Sequence, residues 1–272
     1  MPAFICTACG TQFPQSEKPP AQCVICEEER QYVPEQGQSW TTLEALAQSH
    51  VNKTRDYEKG VTGFGAGFAI GQRALLVQTS GGNVLWDCVA TLDATTIAKI
   101  KSLGGIKAIA ISHPHFYTTM GEWSRAFGDA PIHLHAADKD WIMNPNPAVR
   151  LWQDETLKLW DGVTLVRCGG HFPGGTVMHW AAGAGGKGVV CAGDILSVAA
   201  DRKWLSFMRS YPNFIPLSVA EVEPIGAALE GFSFDVIYGH YFDRVIAKDA
   251  KTVLKNSIAR YIGAINGTRG HK

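Results

Sequence analysis

The sequence predicts an α/β protein of two mixed β-sheets packed together with helices outside, preceded by a small metal-stapled N-terminal segment. Three observations carry that expectation. Short apolar runs ending in turn signals alternate with helical stretches along most of the 272 residues. The early runs follow one another through tight Gly turns, the signature of antiparallel pairing, whereas later ones are separated by helix-length segments, as in strand–helix–strand units. Finally, four of the seven cysteines stand within the first 26 residues as two C-x-x-C pairs, which is metal spacing.

Composition narrows the function classes. With 46% hydrophobic and 18% charged residues, the chain has ample apolar material for a core and too little charge for a disordered tail. Twenty-five Lys plus Arg balance 25 Asp plus Glu, so the uniform basic field of a dedicated nucleic-acid binder is missing. The most apolar long stretch, 188–200, is too short for a bilayer span and is interrupted by Asp194, and no basic-then-apolar segment opens the chain. These features predict a cytoplasmic protein with a small-molecule substrate and argue against a membrane or nucleic-acid partner.

The chain divides into a zinc-ribbon segment at 1–34 and a main domain at 35–272. The first is rich in Pro and Glu between its cysteine pairs and lacks hydrophobic periodicity, so it needs a staple to fold. Thr41-x-x-Glu44 offers a capping box for a short bridging helix with Leu43, Ala45, Leu46 and Ala47. Strands are expected at 67–70, 74–79, 84–87, 106–112, 131–135, 163–167, 177–181, 188–192 and 236–238. Ile97, Ile100, Lys101 and Leu103 ahead of Gly104 predict a helix and its C-cap, and the stripe Leu254, Ile258, Tyr261, Ile262 and Ile265 predicts a closing one.

Cys6-x-x-Cys9 and Cys23-x-x-Cys26 are separated by 13 residues, and Gly10 stands where a metal-binding knuckle turns. Four thiolates without histidine favour a closed tetrahedral site. Zn²⁺ suits it, with rubredoxin-like iron as the alternative. Two independent redox pairs are disfavoured, because such motifs open a helix in a thioredoxin-like unit that is missing here. A four-Cys zinc site implies stability or docking and not catalysis. Cys88, Cys168 and Cys191 sit among apolar neighbours as small buried hydrophobes.

His113-Pro114-His115 directly follows the apolar run 106–112, so both imidazoles emerge at the carboxyl end of a strand, where open α/β sheets place their ligands. Three further segments end a strand in a ligand type: Gly170-His171, Gly193-Asp194 and Gly239-His240. In each, a preceding Gly allows a sharp backbone turn.

In that order, His-x-His, His, Gly-Asp and Gly-His, residues 61–265 resemble the metallo-β-lactamase superfamily of metal-dependent hydrolases. The resemblance implies an αββα sandwich. It implies that His113, His115 and His171 hold a first metal, that Asp194 bridges toward a second, and that His240 belongs to the second. Asp87 corresponds to a carboxylate on an early strand that orients a ligand histidine. The family motif continues with one residue, then Asp, then His, whereas this chain has Tyr117 and Thr118 at those two places. Neither is a good divalent-metal ligand at neutral pH. One active-site ion, Zn²⁺ or Fe²⁺, is therefore expected, with the second weak or missing.

An open site of three histidines, with or without Asp194, can lower the pKa of bound water to about 7. Asp194 is then the candidate proton acceptor, and Tyr117 and His240 are candidates to donate to a developing oxyanion or leaving group. The expected function is metal-dependent hydrolysis of an ester, thioester, lactone, lactam or phosphodiester. The alternatives are a mononuclear non-haem iron oxygenase or redox protein, and a non-catalytic metal-binding scaffold.

Other residues read as packing or solvation. His133 and His135 share one face of a strand, and His135 is a weaker candidate to replace a lost ligand. Phe116 and Trp123 flank the metal loop and are candidate pocket walls. From Asp243 onward seven basic residues stand against two acidic, with Lys248, Lys251 and Lys255 at helical spacing. That pattern is the solvated side of an amphipathic helix more than a phosphate site.

Overall fold

Burial on both faces of the strands determines the architecture. In Ala74–Thr79, Leu75 and Val77 enter one apolar cluster while Ala74 and Leu76 enter another. The same period of two sends Val84 and Trp86 of Gly82–Trp86 one way and Leu85 the other. In Val189–Gly193 it separates Val189 and Cys191 from Val190 and Ala192. Strands apolar on both faces must be covered twice, so each sheet lies between its partner sheet and a layer of helices.

The computed structural model, which describes residues 1–268, has this arrangement. A seven-stranded sheet runs in spatial order Val149–Trp152, Ile132–His135, Ala108–Ala110, Gly82–Trp86, Ala74–Thr79, Val61–Gly65 and Lys53–Asp56. Its first four strands are parallel and the others antiparallel. The six-stranded sheet runs Thr156–Trp160, Val163–Arg167, Thr176–Trp180, Val189–Gly193, Val236–Gly239 and Val245–Ile246. Only Val189–Gly193 and Val236–Gly239 pair in parallel there. Between the sheets lies a core including Leu75, Trp86, Leu165, Met178 and Tyr238. Helices Ala94–Ser102 and Met120–Ala126 cover the outer face of the first sheet through Ile100 and Trp123. Helices Val219–Ala228 and Ala250–Ile265 cover the second through Val222, Ile225 and Leu254. The mixed α/β sandwich expected from the sequence is thus present.

Ahead of it, Gln12–Gln15, Ala3–Cys6 and Trp40–Thr41 form a three-stranded antiparallel sheet. Two local expectations are corrected. Residues 67–70 are a turn, with Gly67, Ala69 and Gly71 at positive φ, and the strand is Val61–Gly65. The bridging helix, Leu43–Ser49, is capped by Thr42, whose side chain accepts from the Ala45 N–H, because Thr41 is already committed to the sheet. Helices Met120–Ala126 and Val219–Ala228 were not expected, although Ser218 and Glu221 form a capping box at the start of the second. Lys251 Nζ donates to the Phe232 carbonyl at 2.9 Å, so part of the basic helix face serves local structure. Arg269 and Lys272 of that basic run lie outside the described residues. Among the described residues no helix is long and apolar enough to cross a membrane.

Met178 is fully buried between the sheets. Met178→Ala should therefore lower unfolding free energy by about 2–5 kcal/mol in urea titration. A change below about 0.5 kcal/mol would show that the inter-sheet core is not closely packed there.

Candidate metal centres

The N-terminal cysteines form the first centre. Cys6 Sγ lies 3.6 Å from Cys26 Sγ, and Cys9 Sγ lies 3.7 Å from Cys23 Sγ. A tetrahedron with 2.3 Å metal–sulfur bonds has edges of about 3.8 Å, so the spacing fits one ion held by four thiolates. All four thiols are buried and free, with their sulfurs within 4.8 Å of one another. The first knuckle closes through Gly10, whose N–H donates to the Cys6 carbonyl at 2.9 Å with φ at +82°.

The second centre draws on both sheets. Strand Ala108–Ala110 leads through Ser112 to His113, and a turn at Pro114–Phe116, opened by Pro114, swings His115 back so that the two imidazole centroids lie 5.2 Å apart. From the other sheet come His171, on the loop after Val163–Arg167, and Asp194, directly after Val189–Gly193. One ligand atom from each of His113, His115, His171 and Asp194 lies within 4.8 Å of the others, and all four residues are buried. His113 Nε2 is 3.2 Å and His171 Nε2 3.6 Å from Asp194 Oδ1. These three atoms have no hydrogen-bond partner. Orphaned, convergent lone pairs of this kind suit a cation, and three imidazoles with one carboxylate suit Zn²⁺ or Fe²⁺.

The outer contacts orient the rings. His171 Nδ1 is 3.2 Å from the Met208 carbonyl, which places the ring proton on Nδ1 and leaves Nε2 as an acceptor. His113 Nδ1 is 2.9 Å from the Ser112 hydroxyl. Asp87 accepts from the Ser112 N–H at 2.7 Å. Asp87 therefore reaches the ligand histidine through Ser112 and not by direct contact. Gly193 makes room for this chain: its φ is +55°, and a Cβ there would meet Ser112 Oγ at 2.6 Å. Gly239, by contrast, does not have positive φ and is kept small by Val198 and Arg244.

His240 lies outside the four-residue group but lines the same cavity, and its buried Nδ1 has no partner. It is held by Arg73, whose backbone N–H donates to the His240 carbonyl at 3.0 Å and whose Nη2 donates to the Gly239 carbonyl at 2.8 Å. Tyr117 is placed differently from the expected oxyanion donor. Its ring is buried in the core beneath the first sheet and is not part of the cavity lining. Thr118 has φ at +30°, its carbonyl accepts from the Gln12 N–H at 3.1 Å, and its methyl stands 3.5 Å from where a Cβ on Gly10 would be. Tyr117 thus packs in the core, while Thr118 meets the ribbon through its backbone carbonyl and methyl and leaves its buried hydroxyl unpartnered. Phe116 and Trp123 are fully buried and pack in the same core, and Trp123 donates to the Val89 carbonyl. His135 packs edge-on against Trp152, with Nδ1 accepting from the Ala137 N–H, and is not in the metal group.

Sequence reasoning missed Ser112, Arg73, Met208 and the ribbon residue Arg30, whose Nη1 donates to the His171 carbonyl at 2.7 Å. Only Ser112, adjacent to His113, carried a local signal.

Together the sandwich and the convergent group define a protein whose three histidines and one carboxylate, buried at the strand ends, could hold a metal ion. The chain belongs to the metallo-β-lactamase superfamily. The family's sequence model, described as metallo-beta-lactamase superfamily, matches residues 69–241. "Uncharacterized protein YmaE" of Bacillus subtilis (strain 168) is 46% identical over 276 residues, covering all of both chains. In fold, the chain is similar to VMB-1, with a TM-score of 0.60 and 13% identity over 80% of this chain and 99% of that one. It is likewise similar to the metallo-β-lactamase of Cronobacter sakazakii with a HARLDQ motif, with a TM-score of 0.53 and 21% identity over 83% and 96% of the two chains.

Burial dominates the electrostatics of the second centre. It pushes the Asp194 carboxyl up to about 7 and the His115 and His240 imidazoles down to about 3. His113 and His171 are lowered by burial and then by neighbouring imidazoles.

Two outcomes follow from these centres. Cys23→Ser should release about one metal equivalent and lower thermal stability, since structural zinc binding is folding free energy; unchanged metal content by elemental analysis would contradict the four-thiolate site. In metal-free protein, an imidazole held below its unfolded value contributes stability above about pH 6.5 that is lost as pH falls toward 3. Burial lowers His133, His135 and His179 in the same sense. Asp194, with Asp87 and Asp138, is raised and acts oppositely, its contribution being lost as pH rises from about 4 through 7. The imidazoles outnumber the raised carboxyls, so the metal-free melting temperature should fall on acidification below pH 6.5. A rise over that range in calorimetry would reverse the assignment.

Proposed function

We propose that the chain is a metal-dependent hydrolase with one catalytic ion, held by His113, His115, His171 and Asp194, and one structural zinc in the ribbon. The observation that carries this reading is the orphaned, buried convergence of His113 Nε2, His171 Nε2 and Asp194 Oδ1 at the ends of strands from both sheets. The displacement of Tyr117 and Thr118 to other tasks supports a single ion there. A divalent ion at such a site supplies Lewis acidity, polarising a carbonyl or phosphoryl oxygen and making water a stronger acid.

The remaining roles belong to the chain. Ser112 and Met208 orient two histidines, and the Met208 carbonyl also fixes the His171 tautomer, so that the Nε2 atoms face the reacting centre. Asp194 is the candidate to take a proton from an attacking water where it is not itself bound to the ion. His240, with an unpartnered Nδ1 facing the cavity lining, is the candidate to hold a proton against the developing oxyanion or leaving group. The substrate is a small ester, thioester, lactone, lactam or phosphodiester. Ferrous iron is the alternative ion, and oxygen consumption by iron-loaded protein would mark an oxygenase in place of a hydrolase.

The protein should carry about two firmly bound ions per chain by elemental analysis, and three would point to a second active-site ion. On a substrate found by screening these bond classes, Asp194→Ala should reduce turnover by a factor of about 10³ or more while the ribbon ion and the fold are kept. Fully metal-loaded protein that cleaves none of these classes would move the reading to a non-catalytic scaffold.

A further inference from the structure

The cavity above the metal group is far smaller than an ordinary ligand pocket. It encloses about 50 Å³ and is lined by Arg30, Gln31, Gln72, Arg209, His240 and Tyr241 as well as by His115, His171 and Asp194, whereas small-molecule sites run to roughly 300–1,000 Å³. Two of its walls, Arg30 and Gln31, belong to the ribbon, on the segment 28–31 that follows the last ribbon cysteine, Cys26.

That segment is tied down at both sides of the site. On one side the Arg30 guanidinium lies 3.9 Å over the Phe172 ring, donates from Nη1 to the His171 carbonyl at 2.7 Å and from Nε to Glu28 at 2.6 Å. On the other, Asn213 Nδ2 donates to the carbonyls of Glu29 and Gln31 at 2.8 and 2.9 Å, and Arg209 Nε donates to Glu29 at 2.5 Å. Arg209 and Asn213 sit on the hairpin of Met208–Ser210 and Ile215–Pro216, the same hairpin whose Met208 carbonyl orients His171. Each guanidinium at the cavity shares a ribbon glutamate, so the wall is polar and internally compensated, not a strong anion trap.

We propose that residues 28–31 are a specificity-determining strap. The ribbon, rather than the sandwich, sets the size of what reaches the metal group: small polar ends pass, as in a short-chain ester or thioester, and bulky aromatic or polycyclic groups are kept out. This rests on the metal-site reading above. Arg30 and Gln31 are positioning and size-limiting residues, and they hold no ion.

The test measures ligand binding and not turnover, so it stands apart from the hydrolase reading. Zinc-loaded full-length protein is titrated calorimetrically with mercaptoacetate, a small metal-seeking thiolate, and with its α-biphenyl derivative. The wild type should bind the small thiolate at least about tenfold more tightly, and Arg30→Ala should bring the two within about threefold with two ions retained. Asn213 is exposed, so Asn213→Ala tests the same strap with little risk to folding and should shift the ratio in the same direction. A wild type that binds both thiolates equally, or a ratio unmoved in both variants at full metal content, overturns the strap. A protein that shows the size ratio yet hydrolyses nothing would retain the strap and lose only the hydrolase.

Discussion

Three buried atoms with lone pairs, His113 Nε2, His171 Nε2 and Asp194 Oδ1, face one another without partners. Each such unsatisfied polar atom costs on the order of 1–3 kcal/mol, and a cation is what turns their repulsion into attraction. The surrounding structure is organised to hold this unfavourable convergence in place. The sandwich brings strand ends of two separate sheets together, the Asp87–Ser112 pair braces His113, and the Met208 carbonyl braces His171. Arg73, buried just ahead of a strand in one sheet, clamps the Gly239 and His240 carbonyls at a strand end of the other.

The ribbon is part of the same arrangement. At Thr118 the backbone that elsewhere in the family carries a histidine instead accepts a hydrogen bond from Gln12, and Gly10 packs against its methyl group. One residue earlier, Tyr117 fills the core. The loop that carries the departure from the family motif thus also joins two parts of the chain. A cluster stapled by its own thiolates is suited to this, because its shape depends little on the surface it covers.

Much of this was legible in the sequence. Both-face apolar strands such as Ala74–Thr79 and Val163–Arg167 announce themselves by composition alone, and their bounds matched. The ligand types are local too, each at a strand end. Edge strands were not legible: Lys53–Asp56 is exposed throughout and has no apolar alternation to read. Nor was 67–70 readable as a turn, because its apolar residues cover the ribbon instead of lining a strand. The contacts of Arg30, Arg73 and Asn213 join residues 141, 166 and 184 positions apart, and no local pattern encodes such pairings. Tyr117 was placed in the site by its position in a motif, whereas its large apolar ring follows the core.

Those separations also carry a timetable. The four cysteines lie within 26 residues, whereas Glu29 waits for Arg209, 180 residues later. At about 5–20 residues per second, synthesis leaves an interval on the order of ten to forty seconds between the two events. A nascent chain stalled near residue 60 should already retain a thiolate-bound ion, long before its strap has a hairpin to fasten to. The strap is thus made early and fastened late.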